Sequence, residues 1–376
     1  MGLSKTAALF LLGCTLFTFA CNGDDDDNGT GGAAGSAGSS GSAGSSGNAG
    51  SSGSSGSAGT AGSSSTITPL ATFDGAPTSV AADDSFVYWT VASDLTSSAP
   101  GGIYRLAVSG GTPESYTTGD DWQNVVVVGD NLFANQTGFG DQADIYKGAK
   151  NTLTAPTVFV SLPKQDLPGG AQNSPLIQSV KVVGTDLIVL NRGPGQSSDL
   201  LGQILKVNTT SGAVSVVIGG LRFPMNLAAD ADYVYFTEEV DAGGATAQGK
   251  LERAPIAGGA AEQLATVDGL GIVGLGVSDT HVFYATGSAL YALPKAGGSA
   301  VSISAFAASD TVADSSGVYV GGTNDLYKID VAAASSTEIG VFDGIPSASP
   351  AMNATTVFDV GRTSDLKKGW VAGVPR

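Results

Sequence analysis

The sequence predicts an all-β protein: a seven-bladed β-propeller of four-stranded antiparallel blades. Three observations lead to this fold class. Short β-rich runs separated by turn residues recur along the chain, their spacing is close to that of four-stranded blades, and one strand near the N-terminus completes the last unit. A four-stranded sheet cannot bury both of its faces alone, so several must stack, and around a ring they form a propeller.

The clearest single unit runs from Leu227 to Val267. Its four β-rich runs are residues 227–230, 233–237, 249–256 and 262–267, and the last two are joined by a Gly-Gly turn. Four such runs, each bounded by a turn signal, are typical of one antiparallel sheet. This unit is the pattern against which the rest of the chain is aligned.

A turn residue just before the second strand marks the repeat in each unit. Successive marks are 46, 56, 46, 47, 36 and 39 residues apart, near the period of about 40 to 50 residues expected for such blades. The second interval makes the unit between residues 130 and 186 irregular and leaves six blades as an alternative. The seven marks that predict seven blades are Asp84, Asp130, Asp186, Asp232, Asp279, Ser315 and Ala354.

The ring is predicted to close through the N-terminal strand. The seventh unit ends at Arg376, directly after its third strand, whereas residues 68–75 resemble the fourth strands at 262–269 and 336–344. We therefore expect the N-terminal strand to pair into the last blade. Closure of this kind removes the exposed sheet edges that invite aggregation.

The first 65 residues predict export and anchoring. Residues 1–20 form a signal peptide, with a basic start and an apolar run too short to span a bilayer. The residues before Cys21 resemble a bacterial lipoprotein signal, so Cys21 is the predicted lipidation site, and an ordinary secretory signal is the alternative. Residues 21–65, four Asp followed by a Gly/Ser/Ala tract, predict a flexible tether, and residues 66–376 form the propeller domain. The expected location is the bacterial cell envelope, lipid-anchored on its periplasmic or cell-surface side.

Composition narrows the classes of partner. The formal net charge is −17 at pH 7, and the chain has no basic stripe to neutralise phosphates. Nucleic acid is therefore not an expected partner, contact with a membrane is expected only through the lipid anchor, and we expect a monomer. With Cys21 lipidated, residues 66–376 contain no thiol for a disulfide, a thiolate zinc site or a cysteine nucleophile.

Two second strands carry a family resemblance. Val87-Tyr-Trp-Thr90 and Val234-Tyr-Phe-Thr237, each followed by a Gly-x-Ile/Leu-x-Arg strand and a Gly-Gly turn, resemble the YWTD, NHL and TolB-type propellers over residues 66–376. The Asp that would complete a YWTD motif is replaced by Val91 and Glu238. The resemblance implies the propeller fold, which hosts binding modules, scaffolds and a few lactonases.

One face of the ring is predicted to carry function. Loops between second and third strands and the crossings between blades lie on one side, here called the long-loop face, and are long at 91–100, 136–142, 163–175, 191–201 and 238–248. The hairpins on the opposite side, the tight-turn face, are short. Loops on a rigid scaffold often carry function, although loop length also drifts freely in propellers. The candidate ligand-binding residues on the long-loop face are Trp122, Gln123, Asn124, Asn226, Arg192 and Arg222.

Carboxylates on the same face suggest a possible metal site. Asp121, Glu238, Glu239 and Asp241 could hold Ca²⁺ or another divalent cation through oxygen ligands. Lactonase-type propellers use a Glu, an Asn and an Asp around one cation, and Glu238, Asn226 and Asp121 match those residue types. His281, the single histidine, falls on the tight-turn face, where no nucleophile motif accompanies it.

The sequence therefore favours a non-catalytic binding or scaffolding module for a protein, peptide or glycan of the cell envelope. The alternative is a metal-dependent lactonase or hydrolase that uses the carboxylates at the propeller mouth. No catalytic residue is predicted, and no cofactor is predicted apart from the divalent cation.

Overall fold

A computed structural model describes residues 66–93, 100–136, 143–162, 164–166, 172–173, 175–193, 200–240, 248–268, 271–304, 308, 311–314, 317–346 and 349–376. Within these ranges every regular element is a β-strand. The strands form the seven predicted blades, so the seven-bladed, all-β prediction is confirmed. None of these ranges contains a helix that is long and apolar enough to cross a membrane.

The strands of each blade follow one another from the axis outward. Two short strands, β1 (Thr66–Ile67) and β2 (Ala71–Phe73), precede blade 1. Blade 1 contains β3 (Ala76–Ala82), β4 (Phe86–Ala92), β5 (Gly102–Ala107) and β6 (Glu114–Thr118). Blade 2 contains β7 (Trp122–Val128), β8 (Asn131–Gln136), β9 (Ala143–Ala149) and β10 (Thr157–Leu162). Blade 3 contains β13 (Ile177–Val183), β14 (Asp186–Asn191), β15 (Gly202–Asn208) and β16 (Val214–Leu221).

The second half of the ring repeats this order. Blade 4 contains β17 (Pro224–Ala229), β18 (Tyr233–Val240), β19 (Gln248–Pro255) and β20 (Glu262–Asp268). Blade 5 contains β21 (Ile272–Val277), β22 (His281–Thr286), β23 (Leu290–Pro294) and β24 (Val301–Ser304). Blade 6 contains β25 (Thr311–Asp314), β26 (Gly317–Gly321), β27 (Asp325–Asp330) and β28 (Ser335–Phe342). Blade 7 contains β29 (Ile345–Pro346), β30 (Ala351–Met352), β31 (Thr356–Arg362) and β32 (Gly369–Pro375).

The irregular interval predicted between blades 2 and 3 contains an inserted hairpin. It consists of β11 (Gln165–Asp166) and β12 (Gln172–Asn173), which pair antiparallel with each other outside the blades. The extra residues lengthen the interval without adding a blade. The structure therefore decides between seven blades and six in favour of seven.

The ring closes as predicted. Strand β2 pairs antiparallel with β32, with Ala71 opposite Val371 and Phe73 opposite Gly369. The preceding strand β1 pairs in parallel with β28 of blade 6, a contact that the sequence did not predict. The N-terminal segment therefore joins two successive blades.

The core is divided among the seven seams between blades, each with its own cluster of buried apolar side chains. Side chains alternate across a strand, so each second strand serves two seams. In β4, Tyr88 packs in the seam with blade 2, whereas Val87 and Trp89 pack in the seam with blade 7. This alternation explains why aromatic and β-branched residues occupy consecutive positions there.

The inner strands of five blades share an irregularity in their pairing with the second strand. In blades 1 to 5, the pairing between the inner and second strand shifts near the long-loop end of the inner strand. At that point one or two partly exposed residues lie between buried ones, as Gln123 and Asn124 lie between Trp122 and Val125. Bulges of this kind redirect side chains, and they are common beside functional sites.

Candidate functional site

Four of the predicted residues meet on the long-loop face, between blades 3 and 4. Arg192 follows the second strand of blade 3, and Arg222 lies in the crossing into blade 4. Glu238 and Glu239 lie near the end of the second strand of blade 4. The backbone N–H of Arg222 donates a hydrogen bond to Oε1 of Glu238. We call the group Arg192, Arg222, Phe223, Glu238, Glu239 and Glu252 the blade 3–4 site.

Phe223 connects the two arginines of this site. The guanidinium carbon of Arg192 lies 4.6 Å from the centroid of the Phe223 ring, the geometry of a cation–π contact. Phe223 holds a left-handed backbone conformation with φ of 44°, which is unusual for a bulky residue and is common where structure is constrained for function. The crossing therefore places the aromatic ring under Arg192 at a local conformational cost.

The pKa of the Glu238 carboxyl group is strongly shifted from its ordinary value. Burial raises the pKa of Glu238 to about 7, and its hydrogen bond with the carboxyl group of Glu252 acts in the same direction. Two carboxyl groups can hydrogen-bond to each other only when they share a proton. With a pKa of about 7, the carboxyl group of Glu238 gains and loses a proton near neutral pH.

The charges of Arg192 and Glu239 affect each other's pKa. Burial lowers the pKa of the Arg192 guanidinium, and the charge of Glu239 opposes this shift. Burial raises the pKa of Glu239, and the charge of Arg192 opposes that shift in turn. Among the described residues, none accepts a hydrogen bond from the buried Nε of Arg192. The guanidinium thus retains donor capacity at a partly buried position.

Asn226 lies nearby but is engaged in the scaffold. Its Nδ2 donates to Thr237 Oγ1 at 3.0 Å and to the backbone oxygen of Ile272 in blade 5 at 2.7 Å. In blade 1, Thr78 Oγ1 donates to the backbone oxygen of Trp122 in blade 2 at 2.8 Å. These polar side chains on inner strands hold neighbouring blades together, which accounts for Asn226 without a ligand.

The other predicted ligand residues lie between blades 1 and 2. Trp122 is 3% exposed, its ring packs edge-on against Tyr146, and its indole N–H donates to Gly119 O at 3.1 Å. Asn124 donates from Nδ2 to Asn135 Oδ1 at 3.1 Å, whereas Gln123 is half-buried. Trp122 therefore contributes to the core of this seam, and Gln123 and Asn124 are both partly exposed.

Of the predicted metal ligands that the structure describes, Glu238 and Glu239 lie in the blade 3–4 site and Asp121 lies elsewhere. Asp121 lies between blades 1 and 2, where it accepts hydrogen bonds from the backbone N–H and the hydroxyl of Ser93. No group of three or more His, Cys, Asp or Glu side chains that could hold a metal ion occurs among the described residues. Asp241 and Cys21 lie outside those residues, so the cation and the lipidation site stay predictions.

Sequence reasoning missed Phe223 and Glu252. Glu252 could have been found from the register of the hairpin, because Glu238 pairs with Lys250 and Phe236 pairs with Glu252, which places the two Glu side chains on one face of the sheet. Phe223 follows Arg222 in the chain, but its contact with Arg192 depends on how blades 3 and 4 are packed. No local signal points to it.

The fold defines a β-propeller protein, and comparison with solved structures agrees. Similar structures include a puromycin hydrolase (16% identity, TM-score 0.57, 78% of this chain and 51% of that one) and a puromycin-hydrolyzing peptidase from Mycobacterium tuberculosis (12% identity, TM-score 0.55, 80% and 53%). Another is the β-propeller domain of the Trilobed protease from Pyrococcus furiosus (10% identity, TM-score 0.56, 79% and 95%). No protein family and no curated protein matches the chain.

These similarities concern the fold alone, since the identities are 16% or lower. The chain spans about half the length of the two puromycin-hydrolysing proteins. The Trilobed protease domain is described as having an open velcro topology, whereas β2 closes the ring here. The chain is thus similar to propellers that occur in peptidases.

Proposed function

We propose that the protein is a cell-envelope lipoprotein whose propeller binds a protein, peptide or glycan on the long-loop face without catalysing a reaction. The observation that carries this proposal is the blade 3–4 site. It combines a stacked guanidinium that has an unused donor with a carboxyl pair, all held by a rigid ring. Such groups on a rigid scaffold recognise ligands without further machinery.

Among the described residues, the groups around the single histidine do not form a hydrolytic triad, which favours a binding role. His281 lies at the start of β22 on the tight-turn face, where its Nδ1 is 2.8 Å from Thr280 Oγ1. No contact between this ring and a carboxylate occurs among the described residues. The arrangement lacks the acid that orients the base in a Ser-His-Asp site.

Photocrosslinking tests whether the ligand binds on the long-loop face. A photoreactive residue is placed at Leu200, which is 58% exposed on the long-loop side of blade 3, or at Ser211, which is exposed on the tight-turn side of the same blade. We expect envelope components to crosslink to position 200 and not to position 211. Equal crosslinking from both positions would contradict the proposal.

Anchoring has its own test. The Cys21→Ser variant should leave the membrane fraction for the soluble fraction, because a protein without lipid loses the apolar area that holds it in the bilayer. Cys14 follows Leu11-Leu12-Gly13, a second stretch that resembles a lipoprotein signal but is followed by further apolar residues, so Cys14→Ser is the matched control and should remain in the membrane fraction. Lipid labelling that persists in Cys21→Ser would refute Cys21 as the lipidation site.

A metal-dependent lactonase or hydrolase is the second candidate, favoured by the pKa of Glu238 at about 7, which suits general acid or base catalysis. It predicts a stoichiometric divalent ion in the purified protein, a rise in melting temperature on adding that ion, and lactone hydrolysis that is lost in Glu238→Gln. A metal-free protein with no such shift would exclude it.

A further inference from the structure

The outermost strand of blade 3 has an open edge. Strand β16 is the last in the sheet order of this blade, and among the described residues no strand pairs with its outer side. Such an edge presents unpaired N–H and C=O groups in a row and can accept a further strand. The chain shows this mode of contact once, because β1 pairs in parallel with the outer edge of β28 in blade 6. The outer rim of the ring is therefore compatible with strand addition.

Strand β16 differs from the other outer strands in length and charge. Proteins protect sheet edges with charged side chains or by keeping edge strands short. The outer strands of blades 1, 4 and 6 contain Glu114, Glu262 and Glu338, and those of blades 5 and 7 have four and three residues. Strand β10 of blade 2 is uncharged with six residues, and β16 is uncharged with eight. Among the outer strands that the structure describes, β16 is thus the longest without a charge.

Two valines make one face of this edge apolar. Val214 and Val216 are 36% and 58% exposed, and they pair with Val207 and Leu205 of β15, which belong to the core cluster between blades 2 and 3. Partners on adjacent strands lie on the same face of a sheet, so the valines extend this apolar face to the edge. The pairing of β16 with β15 is regular from Val214 to Val216 and shifts only beyond that point. An added strand would find a regular template there.

The opposite face of the same segment is polar. Ser215 is exposed and pairs with Lys206 on β15. No ion pair joins the Lys206 ammonium to a carboxylate among the described residues, whereas Asp186, one strand further inward, accepts a hydrogen bond from Asn208 at 3.0 Å. Because only the small Ser215 separates Lys206 from the position of an added strand, its side chain can reach an acid there. An open cavity of about 270 Å³ lies at this place, lined by Asp186, Lys206, Asn208, Ala213, Val214 and Ser215.

We propose that the edge of β16 at Val214–Val216 binds an extended segment of a partner polypeptide, with apolar side chains beside the valines and an acidic side chain beside Lys206. Backbone hydrogen bonds supply the affinity of such a contact, and alternate side chains supply its specificity. An extended peptide matches both faces at once, because its side chains alternate with the same period as those of β16.

A second copy of the chain fits this edge less well. Its own β16 has Ser215 where an acidic side chain is needed, and two copies that each carry a net charge of −17 repel each other. The segment also lies at the end of β16 away from Arg222 and the blade 3–4 site. The inference therefore does not depend on the function proposed for the long-loop face.

The test uses the full-length protein and a labelled peptide, Thr-Val-Thr-Val-Glu-Val-Thr with blocked ends, followed by fluorescence anisotropy. Its valines share one face, and its glutamate lies on the other. A peptide with lysine in place of the glutamate should bind at least about tenfold more weakly, because it exchanges attraction for repulsion at Lys206. A peptide that is methylated on its central amide nitrogens should lose binding, since it cannot donate hydrogen bonds to the edge.

Protein variants and amide hydrogen exchange locate the site. The glutamate peptide should slow exchange in β16 and not in β24. Val216→Asp places a charge on the apolar face of the edge and should weaken binding at least about tenfold. Val301→Asp is the matched control, since Val301 is 48% exposed on the outer strand of blade 5, and it should leave binding unchanged. Lys206→Gln should abolish the preference for the glutamate peptide over the lysine peptide.

Several outcomes would overturn the proposal: no binding of the glutamate peptide, equal binding of the glutamate and lysine peptides, or binding that leaves exchange in β16 unchanged. A dimer in sedimentation velocity that Val216→Asp converts to a monomer would identify a second copy as the occupant and overturn it too.

The two binding surfaces can be tested separately. Ser211 lies in the turn before β16, so crosslinking from positions 200 and 211 is compared in Val216→Asp, where this edge is closed. Crosslinks from position 200 that persist in a variant without peptide binding would show that the long-loop face and the edge of β16 act independently.

Discussion

Asp359 places a carboxyl group where other blades have apolar or aromatic side chains, such as Trp89 in blade 1 and Phe236 in blade 4. Asp359 is 1% exposed. It lies opposite the point where the inner strand of blade 7 is interrupted between β29 and β30. Strand β29 pairs with residues 361–362 and β30 with residues 357–358, so among the described residues Asp359 has a strand partner only on its outer side, Ala372 of β32. Its Oδ1 accepts the N–H of Val360 at 2.7 Å. The side chain thus replaces a hydrogen bond that the interrupted strand cannot supply.

The same burial makes stability depend on pH. Burial raises the pKa of Asp359 well above its usual range, and the bond from Val360 only partly opposes this shift. An unfolded Asp ionises near pH 4, whereas the folded one resists ionisation. Its contribution is therefore fully present below about pH 4 and is lost as pH rises toward the folded pKa.

Asp359→Asn tests this sign. The amide keeps the acceptor for Val360 and cannot ionise, so the variant should gain stability relative to the wild type between pH 5 and pH 8, measured by urea unfolding. Asp359→Ala, which leaves the Val360 N–H unpaired, should lose about 1–3 kcal/mol at pH 5. Parallel pH profiles for the wild type and Asp359→Asn would contradict the interpretation.

At the scale of elements, the tight-turn face repeats one three-residue arrangement, here called the seam clamp. An Asp after the inner strand binds the Tyr hydroxyl of its own second strand and a cation from the next blade. In blade 1, Asp83 Oδ2 is 2.9 Å from Tyr88 Oη and 2.9 Å from Lys150 Nζ. The equivalent set between blades 4 and 5 is Asp230, Tyr235 and Lys295. Between blades 6 and 7, Asp314 pairs with Arg376, whose guanidinium lies over the Tyr319 ring.

The clamp stabilises the fold at neutral pH and loses its effect in acid. Burial raises the pKa of Asp230, but the contact with Lys295 and two backbone N–H bonds outweigh it, so the pKa lies below its usual value of 3.8. The contribution of a carboxylate with a lowered pKa is present above that usual value and disappears as pH falls through the folded pKa. This slope is opposite to that of Asp359.

Asp230→Asn should therefore lower the free energy of unfolding by about 1–3 kcal/mol at pH 7, and by less below pH 4. Asp232→Asn is the control, since Asp232 lies two residues away in the same exposed turn. Urea unfolding at pH 7 and pH 3 measures both. A loss for Asp230→Asn that is the same at both pH values would show that the charge is not responsible.

At the scale of the whole molecule, the ring depends on a short N-terminal strand. Phe73 of β2 stacks on Trp89 with ring centroids 5.1 Å apart, and on Tyr104 at 6.5 Å. The residue thus joins β2, which completes blade 7, to the core of the seam with blade 1. Removing this ring therefore weakens the packing of β2, the N-terminal strand that pairs with β32 and closes the ring.

Phe73→Ala should lower the free energy of unfolding by about 2–4 kcal/mol, because it removes a large side chain that is partly buried in a seam. The neighbouring Thr72 is exposed, so Thr72→Ala is the matched control and should change stability by no more than about 0.5 kcal/mol. Chemical unfolding followed by tryptophan fluorescence measures both. Equal stabilities would mean that the pairing of β2 contributes little to closure.

The blades, their number and the closing strand were predictable from the chain, because they depend on local properties. Alternation of side chains, turn residues and a period repeated seven times are all visible along the sequence. The parallel pairing of β1 with β28 was not predictable, since a two-residue strand has no pattern to recognise. The hairpin of β11 and β12 between blades 2 and 3 was not predicted either, since its strands are also two residues long.

The candidate site was predictable in its face and in four of its residues, Arg192, Arg222, Glu238 and Glu239, because long loops and charged residues are visible in the chain. Which groups touch was decided by the packing of blades against one another. Arg192 reaches Phe223 only because blade 3 lies beside blade 4, and the pKa of Asp359 is raised only because the side chain is buried in the folded ring. Contacts across seams and the loss of solvent depend on the closed ring, where residues far apart in sequence become neighbours, and no local pattern contains that information.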